Sequence, residues 1–414
     1  MIKNLILFYI TLCFGYHLAN GQNSKKADTL IANIRNIINT EISHGNIPGA
    51  VILIKQGDKK LYEHAFGYAH LYNYGKKKLQ IPEKTSVNHL YDLASLTKVI
   101  GTTTAIMLLS DNGLISIEDP VYKYIKAFNT PEKKDITIRH LLTHTAGLYE
   151  WYPLYYFSNK RADTYKIIHK LPLKYPVGNS RHYSDLGFML LGEIIEKVSH
   201  QPLNTFMYKH IFKPLKMNHT LFNPLQDTAT YNIAATSHGN PFEKRMITDA
   251  SLGFKTDSIN PSQWNGWRTY TLKGEVNDGN AWYANEGVSG HAGLFSTLKD
   301  VQKLIDVLQN RGKSKTGQFI SKKTINQFLT KDRFNNGLGW VMDNKNAIIK
   351  NAPEGSYGHT GFTGTSIAVI PKYNISIILL INRQNMGLMK NQAYYNLNPL
   401  REKIFRAVMK YSEK

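Results

Sequence analysis

Two pairs of apolar, β-branched runs stand at opposite ends of this chain, and they constrain its fold more than any other feature. The early pair is Ala50-Val51-Ile52-Leu53-Ile54-Lys55 and Leu61-Tyr62-Glu63-His64-Ala65-Phe66, with the polar stretch 56–60 as the turn. The late pair is Thr365-Ser366-Ile367-Ala368-Val369-Ile370 and Ile375-Ser376-Ile377-Ile378-Leu379-Leu380-Ile381, turning at Pro371-Lys372-Tyr373-Asn374. Between them the apolar spacing is helical: 99–112, ended by Gly113, then 136–144, 186–200 and 298–310. Residues 27–43 and 399–409 add a helix at each end. The pattern predicts an α+β chain whose antiparallel sheet is built from both termini and flanked by helices. Residues 22–105 and 330–414 would form that sheet domain, and 106–329 an inserted, mainly helical domain. The stretch 226–271, which holds Trp264 and Trp267, fits neither period and reads as a long surface excursion.

With 414 residues, 42% of them hydrophobic, the chain has ample material for a core. Its single cysteine, Cys13, excludes a disulfide framework and a multi-cysteine zinc site. Cys13 sits in the apolar run 5–14, after Lys3 and before the small residues Ala19-Asn20-Gly21. That is the layout of a secretory signal, residues 1–21, and it places the mature chain in the periplasm or outside the cell. A lipoprotein signal keeping Cys13 is the weaker reading, because Leu12 stands where a small residue is wanted. No later stretch has the length of a transmembrane helix. Lys+Arg outnumber Asp+Glu by 51 to 30, but the lysines are scattered and no basic helix interleaves with aromatics. Nucleic acid is therefore not expected as a partner; acidic wall polymers are possible ones, and a soluble charged surface is the simpler reading.

Several catalytic signatures are missing. Gly287-Val288-Ser289-Gly290-His291 does not fit the Gly-x-Ser-x-Gly elbow. His140 and His144 have the spacing of a zinc pair, but Leu141 stands where a metalloprotease needs glutamate, so a packing or capping role fits better. What remains is Ser95 with Lys98 three residues on, at a helix start, where that spacing stacks both side chains on one face. A partly desolvated lysine can lose its proton near neutral pH and serve a serine as base. Ser296-Thr297-Leu298-Lys299 repeats the spacing, and there Ser296 reads as a helix cap. Two further elements support Ser95: Tyr183-Ser184-Asp185 at a helix start, and His359-Thr360-Gly361 ahead of the late strands, where glycine would let substrate backbone approach. Tyr283-Ala284-Asn285 and Lys315-Thr316-Gly317 are rival matches. Lys315, however, lies in a polar turn between two helices with no strand after it.

Six ordered blocks then resemble the penicillin-recognising serine hydrolases of the class C β-lactamase type. The family includes low-molecular-weight penicillin-binding proteins, D-alanyl-D-alanine carboxypeptidases, D-aminopeptidases and esterases. The blocks begin at Leu93-Ala94-Ser95-Leu96-Thr97-Lys98, Gly113-Leu114-Ile115-Ser116, Ile138-Arg139-His140-Leu141, Tyr183-Ser184-Asp185-Leu186, Gly290-His291-Ala292-Gly293 and Gly358-His359-Thr360-Gly361. The resemblance implies a β-lactamase/transpeptidase-like fold, with Ser95 acylated, Lys98 activating it and Tyr183 shuttling the proton. The phenol's ordinary pKa of ~10 would have to fall with help from Lys98. It also implies substrate or oxyanion contacts from Asp185, His359, Thr360, Gly361 and Phe362, the oxyanion hole being the backbone N–H groups of Ser95 and Phe362. Neither metal nor organic cofactor is implied. Two departures matter, because the family's β-lactamases usually carry Asn at Asp185 and Lys at His359. Both weaken binding of an anionic β-lactam or a free C-terminal carboxylate. An unperturbed histidine titrates near ~6.5, so His359 would attract an anion only when protonated. The expected activity is an exported serine hydrolase, a D-Ala-type peptidase, carboxypeptidase or esterase acting on wall-related peptides or small esters. A β-lactamase, or a non-catalytic wall-sensing protein, are the alternatives.

Overall fold

The computed structural model describes residues 25–257 and 259–413. The expected signal segment 1–21, with Cys13, lies outside them. The two terminal strand pairs meet in one six-stranded sheet. Its strands are β1 (Gly49–Gln56), β2 (Lys59–Asn73), β3 (Lys77–Lys84), β4 (Tyr357–Thr360), β5 (Ser366–Ile370) and β6 (Ile375–Ile381). They lie in the order β3-β2-β1-β6-β5-β4, each antiparallel to its neighbours. The chain ends join at the β1–β6 ladder, where Val51 opposes Leu380 and Leu53 opposes Ile378.

Six helices bear on the argument: α1 (residues 25–43), α2 (Thr104–Asp111), α3 (Asp185–Ser199), α4 (Pro241–Thr248), α5 (Leu298–Gln309) and α6 (Asn398–Ser412). The two-residue period of the central strands sorts their side chains between two cores. Val51, Leu53, Ile378 and Leu380 enter the larger one, beneath the helical body. Ala50, Ile52, Ile377 and Leu379 enter the smaller one, against Ile34 and Ile38 of α1 and Leu400, Ile404 and Phe405 of α6. Both faces are covered, which is why β1 and β6 read as near-continuous apolar runs.

Some expectations change. Strand β3 was not expected, because an edge strand buries little and carries no apolar alternation. The cap of α5 is Thr297, which accepts from the Asp300 N–H; Ser296 instead ends a short strand, with Oγ 2.7 Å from Thr220 Oγ1. Lys315 does have strands beside it, the two-residue pieces Lys313–Ser314 and Gly317–Gln318 of a small hairpin. The 226–271 stretch is not a mere surface excursion. Ile233, Ala234, Ala235 and Ser237 are buried, Ile233 bridges Leu90, and α4 forms one wall of the cleft described next.

Candidate active site

The segment ahead of Ser95 is shaped by a buried carboxylate. Asp92 accepts the backbone N–H of Ala94 at 2.8 Å and that of Asn277 at 2.7 Å. Between Asp92 and Ser95 the chain turns sharply, with Ala94 in the left-handed region at φ 46°. Such a conformation costs a non-glycine residue energy and holds only where the surroundings enforce it. The helix then begins with a π-type turn, Lys98–Thr103, which runs on into α2. The turn 361–365, after β4, is tied to the same segment: Thr363 Oγ1 donates to the Asp92 carbonyl and Thr365 Oγ1 to that of Leu93.

Lys98 is the hub. Its side chain is wholly buried, and Nζ donates to Ser95 Oγ at 2.9 Å, to Asp185 Oδ1 at 2.7 Å and to the His291 carbonyl at 3.2 Å. Nζ also lies 4.9 Å from the centre of the Tyr183 ring. Burial alone would drive this ammonium toward neutrality, but Asp185 and Tyr183 together outweigh it and hold the group above the ordinary lysine range. The two partners thus work against the neutral amine that burial by itself would favour. Ser184 caps α3, accepting from the Gly187 N–H, and this sets Tyr183 and Asp185 at the helix start. The zinc-spaced histidines are structural. His140 completes a capping box with Thr137, while buried His144 accepts the Ser184 N–H and lies 4.4 Å from the Tyr183 ring.

The His359 element sits differently from the expectation. His359 is 3% exposed, its Nδ1 lies 2.9 Å from the Thr360 carbonyl, and its ring centre is 6.1 Å from that of Tyr183. Burial and the Lys98 charge push its pKa down to about 3, so it is neutral throughout the range where a free histidine would charge. It is no anion receptor at neutral pH. Gly361 does not open space for substrate either: a Cβ there would fall 2.4 Å from the Leu93 carbonyl, so its absence seats the 361–365 turn. Neither residue, nor Thr360, lines the cleft, whereas Phe362 does.

That cleft, of about 380 Å³, opens beside Ser95. Tyr183, Asp185, Asp278 and Glu243 line it along with the apolar Trp151, Phe242 and Phe362, and among the described residues no lysine or arginine does. Among the described residues, neither the Ser95 nor the Phe362 backbone N–H is spent on a backbone hydrogen bond. The functional arrangement also includes residues that sequence reasoning passed over. Asp278 Oδ1 lies 2.9 Å from His291 Nε2 and accepts the Ala281 N–H. Burial would raise Asp278, but His291 outweighs it and holds the carboxyl below its usual range. Asp185, Asp278 and His291 converge closely enough to suggest a metal site. The cation among them is already supplied by Lys98, 2.7 Å from Asp185.

Residues 30–398 match the family model described as Beta-lactamase. This chain belongs to the beta-lactamase family. Among curated relatives, it is 31% identical to the N-acetylmuramyl-L-alanine amidase of Bacillus subtilis, over 89% of this chain and 84% of that one. It is 34% identical to a Salmonella typhi protein designated a D-alanyl-D-alanine carboxypeptidase, over 88% and 84%. The solved structure of EstCE1, a hydrolase with promiscuous acyltransferase activity, superposes at TM-score 0.66 with 19% identity, covering 92% of this chain and 99% of that one. The octameric penicillin-binding protein homologue of Pyrococcus abyssi superposes at 0.64 with 21% identity, covering 86% and 74%. The β-lactamase/transpeptidase-like fold and the serine-hydrolase class of this family member are thereby shown.

Proposed function

We propose that the protein hydrolyses amides or esters through an acyl-enzyme on Ser95, and that its substrates carry no carboxylate next to the scissile carbonyl. The observation that carries the reading is the buried Lys98 ammonium, bonded at once to Ser95 Oγ and Asp185 at the edge of the cleft. A protonated Lys98 donates to the serine oxygen and favours negative charge on it. It cannot also take the serine proton, which leaves Tyr183 as the base and as the group that returns the proton to the leaving atom. The free N–H groups of Ser95 and Phe362 are suited to the developing oxyanion.

The substrate preference follows from charge. A carboxypeptidase or β-lactamase must meet a carboxylate, and here the cleft is lined by carboxyl groups while His359 is neutral. An internal amide of a wall-derived muropeptide, or a neutral ester, meets no such penalty. The relatives named for wall amides and D-Ala peptides support cell-wall material as the substrate class. The charged start, apolar centre and small-residue exit of residues 1–21 support action outside the cytoplasm.

A fluorophosphonate probe should label wild type and leave Ser95→Ala unlabelled. A muramyl-peptide amide with a blocked C-terminus should be cleaved at least tenfold more efficiently than its free-carboxylate twin. Label that persists in Ser95→Ala, or a preference for the free carboxylate, would refute the assignment.

A further inference from the structure

Glu243 arrives at the cleft from α4, in the stretch that sequence reading left on the surface. Its Oε2 accepts the Gly279 N–H at 2.9 Å and lies 3.4 Å from Asn240 Nδ2. The fit is close: a Cβ on Gly279 would fall 2.2 Å from the Glu243 carboxyl, which would have to move away. Gly279 adjoins Asp278, Asp278 holds His291 Nε2, and the His291 carbonyl takes a hydrogen bond from Lys98. A continuous set of contacts thus joins Glu243 to the ammonium that touches Ser95.

We propose that Glu243 is a positioning residue: its carboxyl pins the 277–281 segment against the cleft, and a second negative charge there, beside Asp278, disturbs the Asp278–His291 support of Lys98. The proposal rests on the assignment of Ser95 and Lys98 above. The groups that face Glu243 are Asp278 from the pinned segment, Arg268 through Asn240, Tyr155 from the 154–156 turn, Tyr283, and Tyr394 from beyond β6. Burial and the Asp278 carboxylate push the Glu243 pKa up to about 8, against the pull of Tyr155, the Gly279 N–H and Arg268. At neutral pH the carboxyl keeps its proton. Above that range a second negative charge appears beside Asp278 in the cleft.

The experiment is a pH profile of kcat/KM for p-nitrophenyl acetate in wild type, Glu243→Gln and Tyr155→Phe. Wild type should lose about tenfold per pH unit above pH ~8. The glutamine variant, permanently neutral, should carry its plateau at least one pH unit higher. Tyr155→Phe removes a hydroxyl that favours the ionised form, so its descending limb should move upward as well. A purely structural Glu243 would lower activity by one factor at every pH. A descending limb at the same pH in all three proteins therefore overturns the proposal. If Glu243→Gln fails to fold, Tyr155→Phe decides alone. Fluorophosphonate labelling run alongside separates the two claims: label lost in Ser95→Ala with an unmoved limb rejects Glu243 only.

Discussion

At the scale of single residues, Ala94 holds the most informative conformation. A non-glycine residue at φ 46° is retained because Asp92 fixes the Ala94 N–H and the 361–365 turn fixes the neighbouring carbonyls. Ala94→Gly should relieve that strain and raise stability by up to about 1 kcal/mol, read from the urea midpoint. An unchanged or lower midpoint would mean the left-handed turn is not strained. The sequence made Ser95 and Lys98 visible because their three-residue spacing at a helix start implies a shared face, and Tyr183 and Asp185 visible through the family motif they resemble. It could not show that Lys98 stays charged or that His359 stays neutral. Both states depend on burial and on partners distant in the chain, Asp185 for Lys98 and Lys98 for His359. Glu243 and Asp278 were invisible because a polar residue on a short helix or in an irregular segment carries no period to read, and His291 stood in a motif block with no role attached.

At the scale of elements, the 290–291 stretch is wedged between α3 and the π-type turn. Thr102 Oγ1 donates to the Gly290 carbonyl and Lys98 to that of His291, while a Cβ on Gly290 would fall 2.1 Å from the Phe188 carbonyl of α3. The atoms it would meet are all backbone of α3, so the clash has no flexible side chain to absorb it. Gly290→Ala should therefore cost about 1–3 kcal/mol in chemical denaturation. It should also lower kcat, since the Lys98 contact moves with the stretch. A variant as stable as wild type would place the real contact elsewhere. Helices α3 and α5 and strand β6 came through from the sequence within a residue or so because their apolar periods are long. Strand β3 and the 233–240 stretch did not, because backbone pairing and polar burial position them rather than an apolar face.

At the scale of the whole molecule, the titrations of Glu243 and His359 pull stability in opposite directions. The Glu243 pKa is raised from an ordinary 4.5 to about 8, so its contribution is complete below pH 4.5 and is lost as pH rises toward 8. That of His359 is depressed from 6.5 to about 3, so its contribution is complete above pH 6.5 and is lost as pH falls toward 3. Between pH 4.5 and 6.5 the two nearly cancel. Melting temperature should be flat across that window and decline on either side, with an alkaline slope of about 1.4 kcal/mol per pH unit. A melting maximum at pH 8 or above would contradict this balance. The β1–β6 ladder adds a constraint of a different kind, on timing. Ala50 pairs with Ile381, so the innermost strands of the sheet are joined across more than three hundred residues of chain. A growing chain holds the β6-facing edge of β1 unpaired until the whole intervening stretch has been made, and loop closure over that separation makes the pairing slow. During that interval the apolar edge of β1 is open to other chains. A chaperone that binds extended apolar segments would find its client in this strand long before the site around Ser95 exists.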